Sequence, residues 1–329
     1  MPSLRLATFN AENLLMRCDF KAAGIKDLRR KLNQVSSQAD AERVRGVIDV
    51  LSEDDRTLTA QALAATRADI CVLQEVENLV TLTTFHDNYL SRWSRQPYRE
   101  HVLLEGNDPR GIDVGVLSRL QVTARKSHAS TTFEDLGLSP PDREGARARI
   151  FRRDCLELDI AKDGAALTLF VCHFKSMHGG REATRKVRMA EAQAVRKLIE
   201  ARFSDPAAAK WAVLGDLNDY LEIDGVPDEA HGLGPLIDDG FAADLAIACV
   251  DDPFDRWSHH YAPLSQYTAL DHILLSPKMM DLNRGAEVAY VRAGAPWRSE
   301  RHKGYRLQGV GWANPKASDH CPLVAKLTF

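Results

Sequence analysis

The chain has 329 residues, 44% hydrophobic and 27% charged, with a formal net charge of −3. That balance supports a sizeable folded core and excludes wholesale disorder. The slight negative charge excludes a protein that coats nucleic acid by bulk charge, though a local basic groove remains compatible with it.

Leu4 to Asn10 alternates apolar and polar residues and reads as a first strand with a polar tip. The preceding residues show no charged leader or apolar leader core, so a cytoplasmic location is expected unless a leader was removed. From Met16 to Asp55 the chain turns polar and charged, with helix-like pieces at Ile25 to Val35 and Ala39 to Leu51. A helical insertion over about 17–55 is expected there, within one domain spanning 1–329. Thr57 to Thr66 reads as a helix capped by Thr57, and Asp69 to Glu75 as a buried strand. Asp113 to Ser118 and Cys155 to Ala161 read as further strands, separated by Pro140-Pro141 and an arginine-rich stretch. Leu167 to His173 is another strand, whose polar end runs on through Lys175 and Ser176. A helix follows, carried by Val187, Ala190, Ala194, Val195, Leu198 and Ile199, with Pro206 beyond its end.

Strands are also expected at Trp211 to Leu214, Asp271 to Leu275, Gly285 to Val291 and Leu323 to Leu327, with a long acidic loop from Glu222 to Asp255. The order begins β, α, β and then turns to hairpin-type strands. An α/β fold of two packed sheets flanked by helices is therefore expected, rather than a doubly wound parallel sheet. No stretch approaches the roughly 18 apolar residues of a membrane-spanning helix. Cys18, Cys71, Cys155, Cys172, Cys249 and Cys321 show neither CxxC nor zinc spacing, so free thiols in a reducing compartment are expected.

Several strand ends carry residues fit for chemistry. Asp216 and Asn218, two apart, would share a side of a continuing strand, where a carboxylate can accept a proton from water and an amide can hold that water. The bland alternative is a Gly-Asp-x-Asn turn. Glu75 emerges from a buried run, and with Asp319 and the amide of Asn10 it matches the oxygen donors that magnesium takes. An imidazole becomes a useful acid or base when a carboxylate orients it, which pairs Asp271 with His320 and leaves Asp319 for metal. Alternation puts His272 on the opposite face from Asp271, as a structural histidine. His173 and Lys175 suit stabilisation of a pentacovalent phosphate if His173 is protonated, with Asp113 to orient it.

These residues lie in Thr8-Phe-Asn10, Leu73-Gln-Glu75, Val171-Cys-His173-Phe-Lys-Ser, Leu214-Gly-Asp216-Leu-Asn218, Leu270-Asp271-His and Ser318-Asp319-His320. Six short motifs in this order make the chain resemble the endonuclease/exonuclease/phosphatase superfamily, in its deoxyribonuclease-like branch. The resemblance implies a four-layer α/β/β/α sandwich and a site built from Asn10, Glu75, Asp216, Asn218, Asp271, Asp319 and His320. It implies Mg²⁺ or Mn²⁺ on Glu75, with Asn10 and Asp319 close by. Asp216 and Asn218 would position or deprotonate the attacking water, and Asp271 would orient His320. Whether Asp216 or His320 takes the proton stays open. His173 falls where the deoxyribonuclease branch has a second catalytic histidine.

The leading expectation is a divalent-metal-dependent phosphodiesterase cutting DNA or RNA. Backbone contacts are expected from Arg143, Arg147, Arg149, Arg152 and Arg153, and from Arg181, Arg185, Lys186 and Arg188. A small-molecule or lipid phosphoesterase is the alternative, and a catalytically silent binding module the remote one. No protein partner is implied.

Overall fold

The computed structural model describes residues 1–15, 34–38, 54–141 and 144–329. The expected helical piece at 39–51, that at 25–35 apart from its last two residues, and most of the expected insertion lie outside the described residues.

The strands in chain order are β1 (Ser3–Leu14), β2 (Ile70–Val76), β3 (Glu100–Leu103), β4 (Asp113–Ser118), β5 (Gln121–Ser127), β6 (Cys155–Lys162), β7 (Ala165–His173) and β8 (Trp211–Asp216). There follow β9 (Glu222–Ile223), β10 (Val226–Pro227), β11 (Ala243–Asp244), β12 (His259–Tyr261), β13 (Gln266–Thr268), β14 (Asp271–Leu275), β15 (Val288–Tyr290) and β16 (Leu323–Thr328). One six-stranded sheet has the order β15-β16-β1-β2-β4-β3 and the other β11-β14-β8-β7-β6-β5. Both are mixed, since β1 runs parallel to β2 and β7 parallel to β8.

Alternation along the strands splits their side chains between three cores. Leu4, Leu6, Ile70 and Val72 point between the sheets and meet Leu156, Leu158, Val171 and Leu214 of the second sheet. Ala7, Phe9, Cys71 and Leu73 point outward, where α1 (Asp54–Ala65) and α2 (Leu79–Asn88) cover them with Leu58, Leu63 and Leu82. On the far face of the second sheet, Phe170, Trp211 and Val213 lie beneath Ala194, Val195 and Ile199 of α3 (Arg181–Arg202). The result is a four-layer α/β/β/α sandwich.

The expected strands and the helix of 181–202 are present, with several differences. Helix α1 begins at Asp54, so Thr57 lies inside its first turn and is not its cap. Helix α2 buries Leu79 through His86 without interruption, and so lacks the polar stripe that marks a surface helix. Strand β5 is mostly exposed and carries no apolar alternation. The acidic loop of 222–255 contains β9, β10, β11 and short helices at Gly234–Ile237 and Leu245–Cys249. Five cysteines (71, 155, 172, 249 and 321) are free, and Cys18 lies outside the described residues. No helix among the described residues is long and apolar enough to cross a membrane.

The strands are regular through the core and irregular at one end. The β1–β2 register shifts between Asn10 and Leu14, and the β2–β4 register between Leu73 and Val76. Within those shifts Glu12, Asn13 and Glu75 take φ values of 49°, 57° and 64°. Such bulges bend a strand and re-aim its side chains, and each left-handed non-glycine residue costs on the order of 1–3 kcal/mol.

Candidate active site

Asp216 ends β8, and pairing across the sheet sets Asp271 of β14 opposite it on one side and His173 of β7 on the other. Its approach depends on Gly215, whose φ is 139° and whose added Cβ would fall 1.9 Å from the Cys172 carbonyl oxygen. No residue with a side chain fits there. From the first sheet, Asn10 Nδ2 donates to Asp216 Oδ2 at 2.9 Å, bridging the two sheets. His173 Nε2 stands 3.6 Å and His320 Nε2 3.9 Å from the same oxygen. Burial pushes the Asp216 carboxyl up to about 7, with His320 pulling it down and Asp271 adding to the rise.

His320 Nδ1 meets Asp271 Oδ2 at 2.7 Å, so the expected pair is in contact. Burial opposes charge on His320, but Asp271, Asp216 and Asp319 outweigh it and hold the imidazole well above its usual value. Ser318 Oγ donates to Asn10 O at 2.7 Å and accepts from His320 N at 3.0 Å, tying this segment to β1. His272 faces away, with Nδ1 2.6 Å from Asp244 Oδ2 and Nε2 2.8 Å from Asp219 O.

Asn218 requires a correction. Strand β8 stops at Asp216, and Asn218 has φ 52°, so it reaches the site by a left-handed turn and not by strand alternation. Its amide N–H donates to Asp216 Oδ1 at 2.9 Å, while Nδ2 donates to the Phe174 carbonyl at 3.0 Å. Among the described residues the side-chain carbonyl Oδ1 accepts no hydrogen bond.

The residues expected to bind metal gather at the irregular end of β1. Glu75 Oε2 accepts from Asn13 N at 2.9 Å, and its Oε1 takes no hydrogen bond among the described residues. Asn10 Oδ1 accepts from Glu12 N at 3.0 Å, and Asp319 N donates to Glu12 Oε2 at 2.9 Å. Burial works against charge on Asp319, but His320, Lys316 and His259 hold its carboxyl below the usual range. Glu75 is thus tied to β1 through Asn13 and Asp319 through Glu12, and two carboxylates with an amide oxygen are the kind of donor set that a hard divalent cation takes while keeping part of its water shell. His259 adds nitrogen on the other side, where His259, Asp319 and His320 offer ligand atoms all within 4.8 Å of one another.

The second histidine differs from expectation. Burial, Arg153 and the charge on His320 keep His173 well below its usual value, so it is neutral and not an imidazolium. Its Nδ1 is buried without a partner among the described residues. Asp113 does not orient it. Asp113 Oδ1 accepts the Gly106 amide at 2.8 Å, and burial pushes its carboxyl up to about 7.

A sequence profile of the Endonuclease/Exonuclease/phosphatase family matches residues 7–320. The chain belongs to that family. It is therefore an enzyme, a phosphoric-ester hydrolase of the phosphodiesterase kind, in a family that typically uses divalent metals. No curated protein matches it in sequence. Among solved structures, sphingomyelinase C from Streptomyces griseocarneus is similar at TM-score 0.56 and 16% identity, covering 100% of both chains. Truncated TDP2 from Caenorhabditis elegans gives TM-score 0.55 at 14% identity, over 99% of this chain and 98% of that one. TDP2 from D. rerio, complexed with single strand DNA product, gives TM-score 0.52 at 13% identity over 99% of each chain. At these identities the likeness concerns the fold.

Within this family member, four residues matter that the sequence reading passed over. Asp219 accepts from Arg181 Nε at 2.6 Å, Arg188 Nε at 2.8 Å and Gly232 N at 2.8 Å, pinning the turn after Asp216 onto α3. Arg181 and the fully buried Arg188, expected as phosphate contacts, are thereby committed to structure. Glu12, held by Lys316 Nζ at 2.7 Å, carries the Asp319 amide. His259 lies in an isolated β-bridge with His320. Glu12 sits in the bulge of β1 and His259 opens the three-residue strand β12, which is too short for periodicity to mark it. Only Asp219 gives a signal, as the second acid of Gly-Asp-Leu-Asn-Asp.

The fourth is Glu191, buried in α3, which accepts from Arg152 N at 2.9 Å and Lys175 N at 2.7 Å and so fixes two loops beside His173. Burial raises its carboxyl from 4.5 to about 7. The folded state then holds a proton that the unfolded chain releases, so this group's contribution to stability falls as pH rises from about 4.5 to about 7. Against Glu191→Gln, which does not titrate, the wild type should lose relative stability by up to about 1.4 kcal/mol per pH unit in that window. Urea unfolding of both proteins at several pH values measures it, and a pH-independent difference would refute the assignment.

Proposed function

We propose that the protein is a divalent-metal-dependent nuclease, hydrolysing phosphodiester bonds of DNA or RNA by in-line attack of water. The observation that carries this reading is the meeting on Asp216 of Asn10 from β1 and His320 from the segment that leads into β16, on the side of the first sheet, with His173 from β7 of the second. Asp216, with a carboxyl near 7, accepts the proton of the attacking water, which Asn218 Oδ1 holds. Charged His320, steadied by Asp271, donates to a phosphate oxygen, and neutral His173 donates through Nε2 to another. When bound on Glu75 and Asp319 beside Asn10, Mg²⁺ or Mn²⁺ supplies neutralisation of phosphate charge. Nucleic acid is favoured as substrate by the arginines and Lys175 that border His173.

Glu75→Gln should raise the metal concentration giving half-maximal rate by about 100-fold, with partial recovery at saturating metal. A Mg²⁺ titration of initial rates reads it, and an unaltered midpoint removes Glu75 from the metal site.

A second reading, a lipid or small-molecule phosphoesterase, is favoured by exposed Trp297, Tyr305 and Trp312. The deciding assay supplies Mg²⁺ or Mn²⁺ and tests plasmid DNA, RNA, an abasic duplex, sphingomyelin and bis-p-nitrophenyl phosphate, with His320→Ala as control. Nicking abolished by that substitution supports the nuclease. Turnover of sphingomyelin or the small ester without nicking selects the second reading, and no turnover at all selects a silent module.

A further inference from the structure

Beside His173 opens a cleft of about 1060 Å³ lined by Arg110, Arg149, Arg152, Arg153 and Lys175, with Asp108 and Glu144 as its acids. Five cations against two carboxylates leave a local excess of three positive charges, in a chain whose total is −3. The acids are already engaged. Asp108 chelates Arg110 at 3.1 and 3.2 Å and contacts Arg153 Nε at 2.8 Å, and Glu144 pairs with Arg152. Arg149 is different. It is exposed, its Nη1 donates to the neutral Asn107 Oδ1 at 2.6 Å, and it has no carboxylate partner among the described residues. Lys175 Nζ rests on the Ser176 carbonyl at 3.0 Å, likewise without an acid.

The cleft shares structure with the catalytic end of the sheets. Arg153 Nη1 and Asn218 Nδ2 donate to the same Phe174 carbonyl, at 3.1 and 3.0 Å. Phe174 directly follows His173, and Glu191 fixes the Arg152 and Lys175 amides together. An anion in the cleft is therefore one short step from a phosphate on Asp216.

We infer that the cleft seats the non-scissile phosphate next to the one being cleaved in a nucleic-acid strand, with Arg149 as its specificity-determining contact. This rests on the nuclease reading and narrows it. A guanidinium without a carboxylate gains most from a phosphate, because no existing ion pair must be broken. A substrate with a single phosphate presents nothing to Arg149.

The test compares Arg149→Ala and Arg149→Glu with the wild type on two substrates, an oligothymidylate and bis-p-nitrophenyl phosphate, which has one phosphate. Binding of fluorescein-labelled oligothymidylate is measured in parallel in the His320→Ala background across a salt series. The expected result is a rise in KM for the oligonucleotide about tenfold larger than that for the small ester, with Arg149→Glu worse than Arg149→Ala. The salt slope of oligonucleotide affinity should fall by about 1. If the variants cut and bind the oligonucleotide like the wild type, or lose both substrates equally, the inference fails while the nuclease reading stands. If the wild type neither cuts nor binds the oligonucleotide but hydrolyses the small ester or sphingomyelin, both fail.

Discussion

His320→Ala should lower kcat by about 10³–10⁴ and leave substrate binding within a few fold, because the imidazole acts on charge that develops only in the transition state. Its Nε2 faces Asp216 Oδ2 at 3.9 Å and its Nδ1 is held at 2.7 Å by a carboxylate with no solvent exposure. Removing the ring takes away the proton donor and leaves the Asp271 charge without its counter-ion. Asp271→Asn keeps the shape but removes the charge that holds His320 protonated, so a smaller loss of about 10² is expected. The double variant should be scarcely worse than His320→Ala, since the two act as a unit. Steady-state kinetics on a phosphodiester decides it. A His320→Ala enzyme within tenfold of the wild type would remove His320 from the chemistry, and additive losses would break the pair.

Asp216→Asn should cost about 10³ in kcat and change the pH profile as well. With the carboxyl pushed up to about 7, the wild type is protonated and inactive at acid pH, and its rate climbs as pH is raised through neutrality. Below that value each pH unit should cost about tenfold, because only the ionised fraction can take a proton from water. Asparagine keeps one acceptor oxygen for the Asn10 or Asn218 N–H and does not titrate, so its residual activity should be flat over the same window. If instead the variant keeps the wild-type rise with pH, the titrating group is elsewhere and Asp216 is only a scaffold for water.

Much of this centre was legible in the sequence because strand ends are local features. The runs before Glu75, His173 and Asp216, and the run after Asp271, alternate or are wholly apolar, so they announce strands, and the polar residue at the end of each run marks its tip. Which tips meet is a matter of sheet order, which no spacing encodes. Asp113 illustrates the limit: it sits at a strand start with the right chemistry, yet its carboxyl serves the Gly106 turn. The charge state of His173 was equally hidden, since it depends on burial and on Arg153 arriving from another loop. Asn218 reaches the site through a left-handed turn, which imitates the placement that alternation along a continuing strand would give.

The hydrogen bond from Asn10 to Asp216 joins a residue of one sheet to a residue of the other. The leucines and valines between the sheets touch no substrate, but their combined thickness sets the gap that this bond must close. They act as the spacer of a caliper whose jaws are the two polar tips. Catalytic geometry tolerates errors of only about an ångström. Selection on the reaction therefore reaches into that greasy middle layer, and it constrains the size of the residues there more tightly than folding alone would.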